Sequence, residues 1–109
     1  MELWVNNKIL SDKVKLCRGF SKFMGLMFFR KLRNKESFVL VNASDIHMFF
    51  VFQSIDAVWL DKNQIVVDKK ENVKPFTPLI KPKIKSHYVI ELPLGKAKLF
   101  KLKDRVNFR

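Results

Sequence analysis

Ser54-Ile55-Asp56-Ala57-Val58-Trp59-Leu60 sets one acid among five apolar side chains, and both of its alternating faces read apolar. A strand with one wet face alternates apolar and polar residues; this one does not, so it is expected to be central and covered on both sides. Asp61-Lys62-Asn63-Gln64 follows with turn chemistry, and Ile65-Val66-Val67 then reads as the next strand. Further along, His87 to Leu92 is a second apolar strand, and Phe38 to Val41 is a third before it. Ile46 to Phe52 is apolar without helical spacing and is expected to be a strand as well. Its Ile46, Met48, Phe50 and Phe52 would share one face, with His47, Phe49, Val51 and Gln53 on the other. Cover of that second face by the rest of the chain is preferred to a partner surface.

Towards the amino end, Leu3 and Val5, Asn6-Asn7 and Ile9 read as a β-hairpin, because asparagine tolerates the positive φ of a tight turn. Val14 and Leu16 continue strand alternation. Phe20, Phe23, Met24 and Met27 change the period to i, i+3, i+4, i+7, one face of a short helix, with Arg30 to Lys35 as its basic exit loop. Pro75, Pro78 and Pro82 make residues 72–86 extended and irregular. Pro93 is placed to start a short helix over Leu94 to Lys101, and Val106 to Phe108 to pair back into the sheet. The expected fold is mainly β: a single compact domain over 1–109, sandwich or barrel-like, of short strands with one or two short helices.

Composition narrows the function. The 109 residues carry 22 basic and 10 acidic side chains, a formal net charge of +12. Cys17 is the single cysteine, so a disulfide framework and CxxC chemistry are excluded. The longest uncharged stretch, Ile46 to Ile55, is half of a membrane span. Met-Glu-Leu-Trp-Val-Asn-Asn at the start lacks the basic and apolar regions of a signal segment, so a cytoplasmic protein is expected. The oligomeric state is left open.

A set of segments in order carries a resemblance. They are Gly25-Leu26-Met27-Phe28, Met48 eight residues before Asp56, Ile55 to Asp61, Glu71-Asn72, and Lys74-Pro75-Phe76. Tyr88-Val89-Ile90-Glu91-Leu92 closed by Gly95, and then Asp104-Arg105-Val106, complete the set. Over roughly residues 14–108 the chain resembles the prokaryotic domain-of-unknown-function family 192, also called uncharacterised protein family 0127. The resemblance implies a compact β sandwich or barrel and no known reaction. The chain departs from the family at two places. His47-Met48-Phe49-Phe50 stands where many members have Trp-Met-Lys-Asn, and Lys103 stands where a glycine usually precedes the last aspartate.

Asp56 is the first candidate for chemistry. A carboxylate inside an apolar strand must be hydrogen-bonded, paired or protonated, because burying it bare is costly. It is either a general base or an acceptor of backbone N–H groups from a neighbouring loop, and the structural reading is preferred. His47 and His87, with Cys17, Asp45 or Asp56, are ligand types that suit zinc or iron, but their spacing does not unite them, so no metal or cofactor is expected. Cys17 beside Arg18 reads as a small buried hydrophobe rather than a nucleophile. No GxSxG elbow, HExxH or glycine-rich phosphate loop is present.

Charge is the stronger lead. Residues 69–85 hold six basic side chains (Lys69, Lys70, Lys74, Lys81, Lys83, Lys85) against Glu71, and residues 96–109 hold another six against Asp104. Such clusters follow phosphate backbones or other polyanions, the alternative being a solvated surface with no dedicated partner. Lys81, Lys83 and Lys85 would point to one side of an extended segment. Arg18 to Phe23 echoes an RNA-recognition strand but breaks its aromatic alternation at Lys22, and the apolar face of residues 20–28 is assigned to core packing rather than to a membrane surface. The expectation is a non-catalytic basic module binding nucleic acid or an acidic protein through Lys81, Lys83, Lys85, Lys101, Lys103 and Arg105. The competing expectation is an enzyme or small-ligand protein centred on Asp56 and His47.

Overall fold

The structure, a computed structural model, describes residues 1–18, 26 and 29–109. Eight strands and one 3-10 helix are formed among them: β1 (Leu3–Val5), β2 (Lys8–Ser11), β3 (Lys13–Cys17), β4 (Glu36–Val41), β5 (Ile55–Leu60), β6 (Val66–Val73), β7 (Tyr88–Leu92), the helix Lys96–Leu99, and β8 (Val106–Phe108). β2-β1-β8 make a three-stranded antiparallel sheet, and β3-β4-β7-β5-β6 make a five-stranded sheet in which β3 and β4 run parallel. The fold is mainly β and sandwich-like: two sheets, with no barrel closure among the described residues, and with the isolated bridge Ile65–Arg105 linking the segments that lead into β6 and β8.

The hairpin forms as its residues predict. Asn6 and Asn7 hold φ of 50° and 66°, both positive, which matches the right-handed twist of β1 and β2. All six residues of β5 are buried between its neighbours β7 and β6 and the apolar layers on both faces. Side chains alternate across this sheet. Val39, Val58, Leu60, Ile90 and Leu92 point toward Leu3, Val5 and Val106 of the small sheet, with Ala97 and Phe100 closing the layer. Phe38, Leu40, Ala57, Trp59 and Val89 point the other way, where Leu26, Leu32, Ile46, Met48, Val51 and Ile80 cover them from loops.

Three expectations are corrected. Ile46 to Phe52 is not a strand: only Ile46 bridges, to Ile80, and the chain turns at Phe49–Phe50 with Phe50 at φ 56°. Met48 O accepts from both Val51 N (3.1 Å) and Phe76 N (2.9 Å), so the loop tucks Met48 and Val51 inward and leaves Phe49, Phe50 and Phe52 exposed. The strand expected at Ile65 to Val67 begins at Val66 and runs on to Val73, through Asp68-Lys69-Lys70-Glu71-Asn72. An edge strand pairs on one side only, so its sequence can be polar. The helix expected over Leu94 to Lys101 shortens to Lys96–Leu99 and is entered through Gly95 at φ 88°, a conformation glycine adopts without steric cost. The helix expected over residues 20–27 lies outside the described residues.

Candidate functional site

Two lysine-rich segments, 81–85 and 96–105, on either side of β7 in the chain, are both tied to β6, the edge of the large sheet. A register shift between Trp59 and Leu60 sets Asp68 opposite Trp59 and Lys69 opposite Val58, and as strand neighbours the two point to opposite faces. On Trp59's face, Asp68 Oδ2 accepts from Lys83 N at 2.8 Å and pins the segment carrying Lys81, Lys83 and Lys85. On Val58's face, Lys69 Nζ donates to the carbonyls of Ala97 (3.2 Å) and Phe100 (2.8 Å), where the 3-10 helix ends. In line with the sheet, Lys103 N donates to Val66 O (2.8 Å) and Val66 N to Asp104 O (2.9 Å). Lys69 is therefore a structural strut, whereas Lys81, Lys83, Lys85, Lys101, Lys103 and Arg105 are exposed.

Two of the acids in this region are committed locally, while Asp45 lines a pocket with Lys81 and Lys85. Asp68 Oδ1 accepts from Lys69 N and Asp104 Oδ2 from Lys101 N, both at 2.8 Å. The segment 81–85 bends at Lys83–Ile84, so the extended, one-sided array expected of its lysines is not what forms. Lys103 holds φ 76°, a left-handed conformation that costs a residue with a Cβ about 1–2 kcal/mol. The terminal turn thus forms with lysine at the position where the family's glycine was expected.

Asp56 and His47 are not brought together. Asp56 is 1% exposed, on the face it shares with Val58 and Leu60. Its Oδ1 accepts from Asn72 N, and its Oδ2 accepts from Gly95 N and Ala97 N, each at 2.9 Å. The carboxylate ties β5 to the end of β6 and to the entry of the 3-10 helix, which is the structural role. His47 lies on the loop that covers the opposite face, its Nδ1 accepting from Phe49 N at 3.1 Å. Among the described residues, no group of three or more His, Cys, Asp or Glu side chains is placed to hold a metal. Cys17 is buried in the core, and that burial, with Glu91 nearby, pushes its thiol up against the opposing pull of Lys15.

Glu91 carries the same sequence signal as Asp56, an acid within an apolar strand, and the sequence criteria did not single it out. It sits on β7 between Phe38 and Ala57, 3% exposed, and among the described residues nothing bonds to its Oε1. Desolvation raises its carboxyl from 4.5 to about 8. Glu36 is the opposite case. Arg30 grips it through two bonds of 2.7 and 2.6 Å, and this pairing holds its carboxyl down at about 2 against partial burial. Gln53 then clasps the same loop, accepting from Leu32 N and donating to Arg30 O.

At the far end of β6 the surface is aromatic instead. Phe50 and Phe52 pack edge-on to Phe76 with centroids at 6.1 and 5.2 Å.

Comparison with known proteins follows this geometry. The DUF192 model, described as Uncharacterized ACR, matches residues 5–108. A UPF0127 protein of Thermococcus kodakarensis is 43% identical over 94 residues, 81% of this chain and 58% of that protein. One from Pyrococcus horikoshii is 42% identical over 89 residues, 76% of this chain and 74% of that protein. The chain spans about three-fifths of the length of its Thermococcus relatives. A crystal structure of a protein of unknown function from Novosphingobium aromaticivorans shares the fold at a TM-score of 0.87 and 18% identity, over 99% of this chain and 84% of that one. Another, from Sinorhizobium meliloti, does so at 0.79 and 20% identity, over 86% and 79%.

Proposed function

We propose that this chain, which belongs to the DUF192 (UPF0127) family, is a small binding module whose basic sheet edge contacts an anionic partner, nucleic acid or an acidic protein. One observation carries the reading: the segments bearing Lys81, Lys83 and Lys85 and bearing Lys101, Lys103 and Arg105 are both anchored on β6, within two residues of each other at Asp68 and Val66. Two charge clusters become one field, and such a field attracts polyanions and weakens with salt. The strained Lys103 supports it, since a lysine held at φ 76° keeps a positive charge where glycine would be easier for the backbone.

Fluorescence anisotropy with labelled RNA, DNA and polyglutamate tests this. A surface neutralising about six phosphates loses roughly a thousandfold in nucleic-acid affinity between about 50 and 200 mM salt. The triple variant Lys81→Glu, Lys83→Glu, Lys85→Glu is expected to lose binding while keeping the wild-type melting profile, because all three side chains are exposed. Lys103→Gly is expected to gain about 1 kcal/mol of stability while binding more weakly. Unchanged affinity in the triple variant overturns the assignment.

A further inference from the structure

We infer that the basic edge docks on an anionic lipid surface; this rests on the part of the proposed reading that makes the edge an anion-binding surface, and it gives the same charges a lipid partner. Ile84, Leu99 and Leu102 are 59%, 53% and 58% exposed, and each stands beside lysines: Lys83-Ile84-Lys85, Lys98-Leu99, Lys101-Leu102-Lys103. All three sit on chain reversals or ends. Ile84 is in the bend at Lys83–Ile84, Leu99 ends the 3-10 helix, and Leu102 is in the turn closed by Asp104 N to Lys101 O at 3.0 Å. Their anchors flank the outer edge of β6: Asp68 on Trp59's face for the first, and Lys69 on Val58's face with Val66 in the plane of the sheet for the others.

The chemistry of those tips separates lipid from the other polyanions. Stacking on bases uses aromatic faces, and among the described residues the exposed phenylalanines, Phe49, Phe50, Phe52 and Phe76, lie in the loops at the opposite end of β6. Phe100, the aromatic residue between Leu99 and Leu102, is fully buried. An acidic amphipathic helix is received in an apolar groove, whereas these aliphatic groups project from turns. Projecting Leu and Ile side chains ringed by ammonium groups suit a soft plane. The aliphatic tips enter the boundary between headgroups and acyl chains, and the lysines stay with the negative headgroups. Each lysine near an anionic membrane adds attraction that falls off within a Debye length.

The test is co-sedimentation of the full chain with vesicles of equimolar phosphatidylglycerol and phosphatidylcholine, against vesicles of phosphatidylcholine alone. The comparison variant is Ile84→Ser, Leu99→Ser, Leu102→Ser, whose exposed positions leave the fold unloaded. The expected result is binding to the anionic vesicles only, reduced about tenfold or more in the serine variant, with its anisotropy titration against soluble polyanions unchanged. Equal vesicle binding by wild type and serine variant overturns the inference, as does polyanion binding without vesicle binding, which leaves the anion-binding reading standing. Failure to bind either one brings down both. Vesicle binding without soluble-polyanion binding sustains the lipid inference and removes nucleic acid and acidic protein as partners.

Discussion

Glu91→Gln is expected to make the protein far more resistant to alkaline pH. Below about 4.5, the ordinary glutamate value, Glu91 is protonated in both native and unfolded chains, and wild type and variant differ little. Between 4.5 and about 8 the unfolded chain releases the proton while the native state keeps it, so native stability falls as pH rises. Above about 8 the native carboxyl ionises inside the apolar layer, and the full cost of its burial is in place. Integrated over that window, the loss is on the order of 4–5 kcal/mol, a large part of the stability of a domain this size. A neutral glutamine removes the proton linkage and keeps the shape. Thermal melts from pH 4 to 9 should show wild type falling steadily, with the variant nearly flat and higher at pH 9 by roughly 15 °C or more. Parallel pH curves for the two proteins would mean that Glu91 does not titrate in this range.

Asp56→Ala is expected to lower stability by about 3–5 kcal/mol, because it leaves the N–H groups of Asn72, Gly95 and Ala97 without their acceptor. For about a hundred residues that is a fall in melting temperature of roughly 15–25 °C. Asp56→Asn separates hydrogen bonding from packing. Its single oxygen can serve Gly95 and Ala97, while its amide group faces the N–H of Asn72, so about half of the alanine cost is expected. Equal losses in both variants would show that the carboxylate's charge, rather than its count of acceptors, holds the three segments. A loss below about 1 kcal/mol in Asp56→Ala would remove the structural assignment.

The two predictions concern residues of the same kind with opposite surroundings. Both are acids in apolar strands of one sheet. Alternation sends Asp56 toward the turn at Gly95 and Ala97, where backbone donors are free, and sends Glu91 toward Phe38 and Ala57, where its Oε1 meets none. A linear pattern reports that an acid is buried. What surrounds the carboxyl depends on chain that folds over it from elsewhere, and here that decides between an anchor and a liability.

Local chemistry by itself determined much of this protein. Asn6-Asn7 specified a hairpin, the doubly apolar Ile55 to Leu60 specified a covered strand, and the phase of Tyr88 to Leu92 specified another. These are properties of φ preference and of period-two alternation, which neighbours in sequence express without help. The succession of short segments between Gly25 and Val106 in the sequence likewise carried the family resemblance. Tertiary structure decided what depends on partners distant in sequence. Met48 O, shared between Val51 N and Phe76 N, turned an apolar run into a loop with three exposed phenylalanines, although its pattern reads as a strand. Pairing with β5 on one side extended β6 through five polar residues. The acceptors Asp68 Oδ2 and Val66 O tied two lysine runs, on either side of β7 in the chain, to one strand. Side-chain type is written locally; the hydrogen bonds that choose between loop and strand, and that tie two lysine-bearing segments to one strand, are made across the fold.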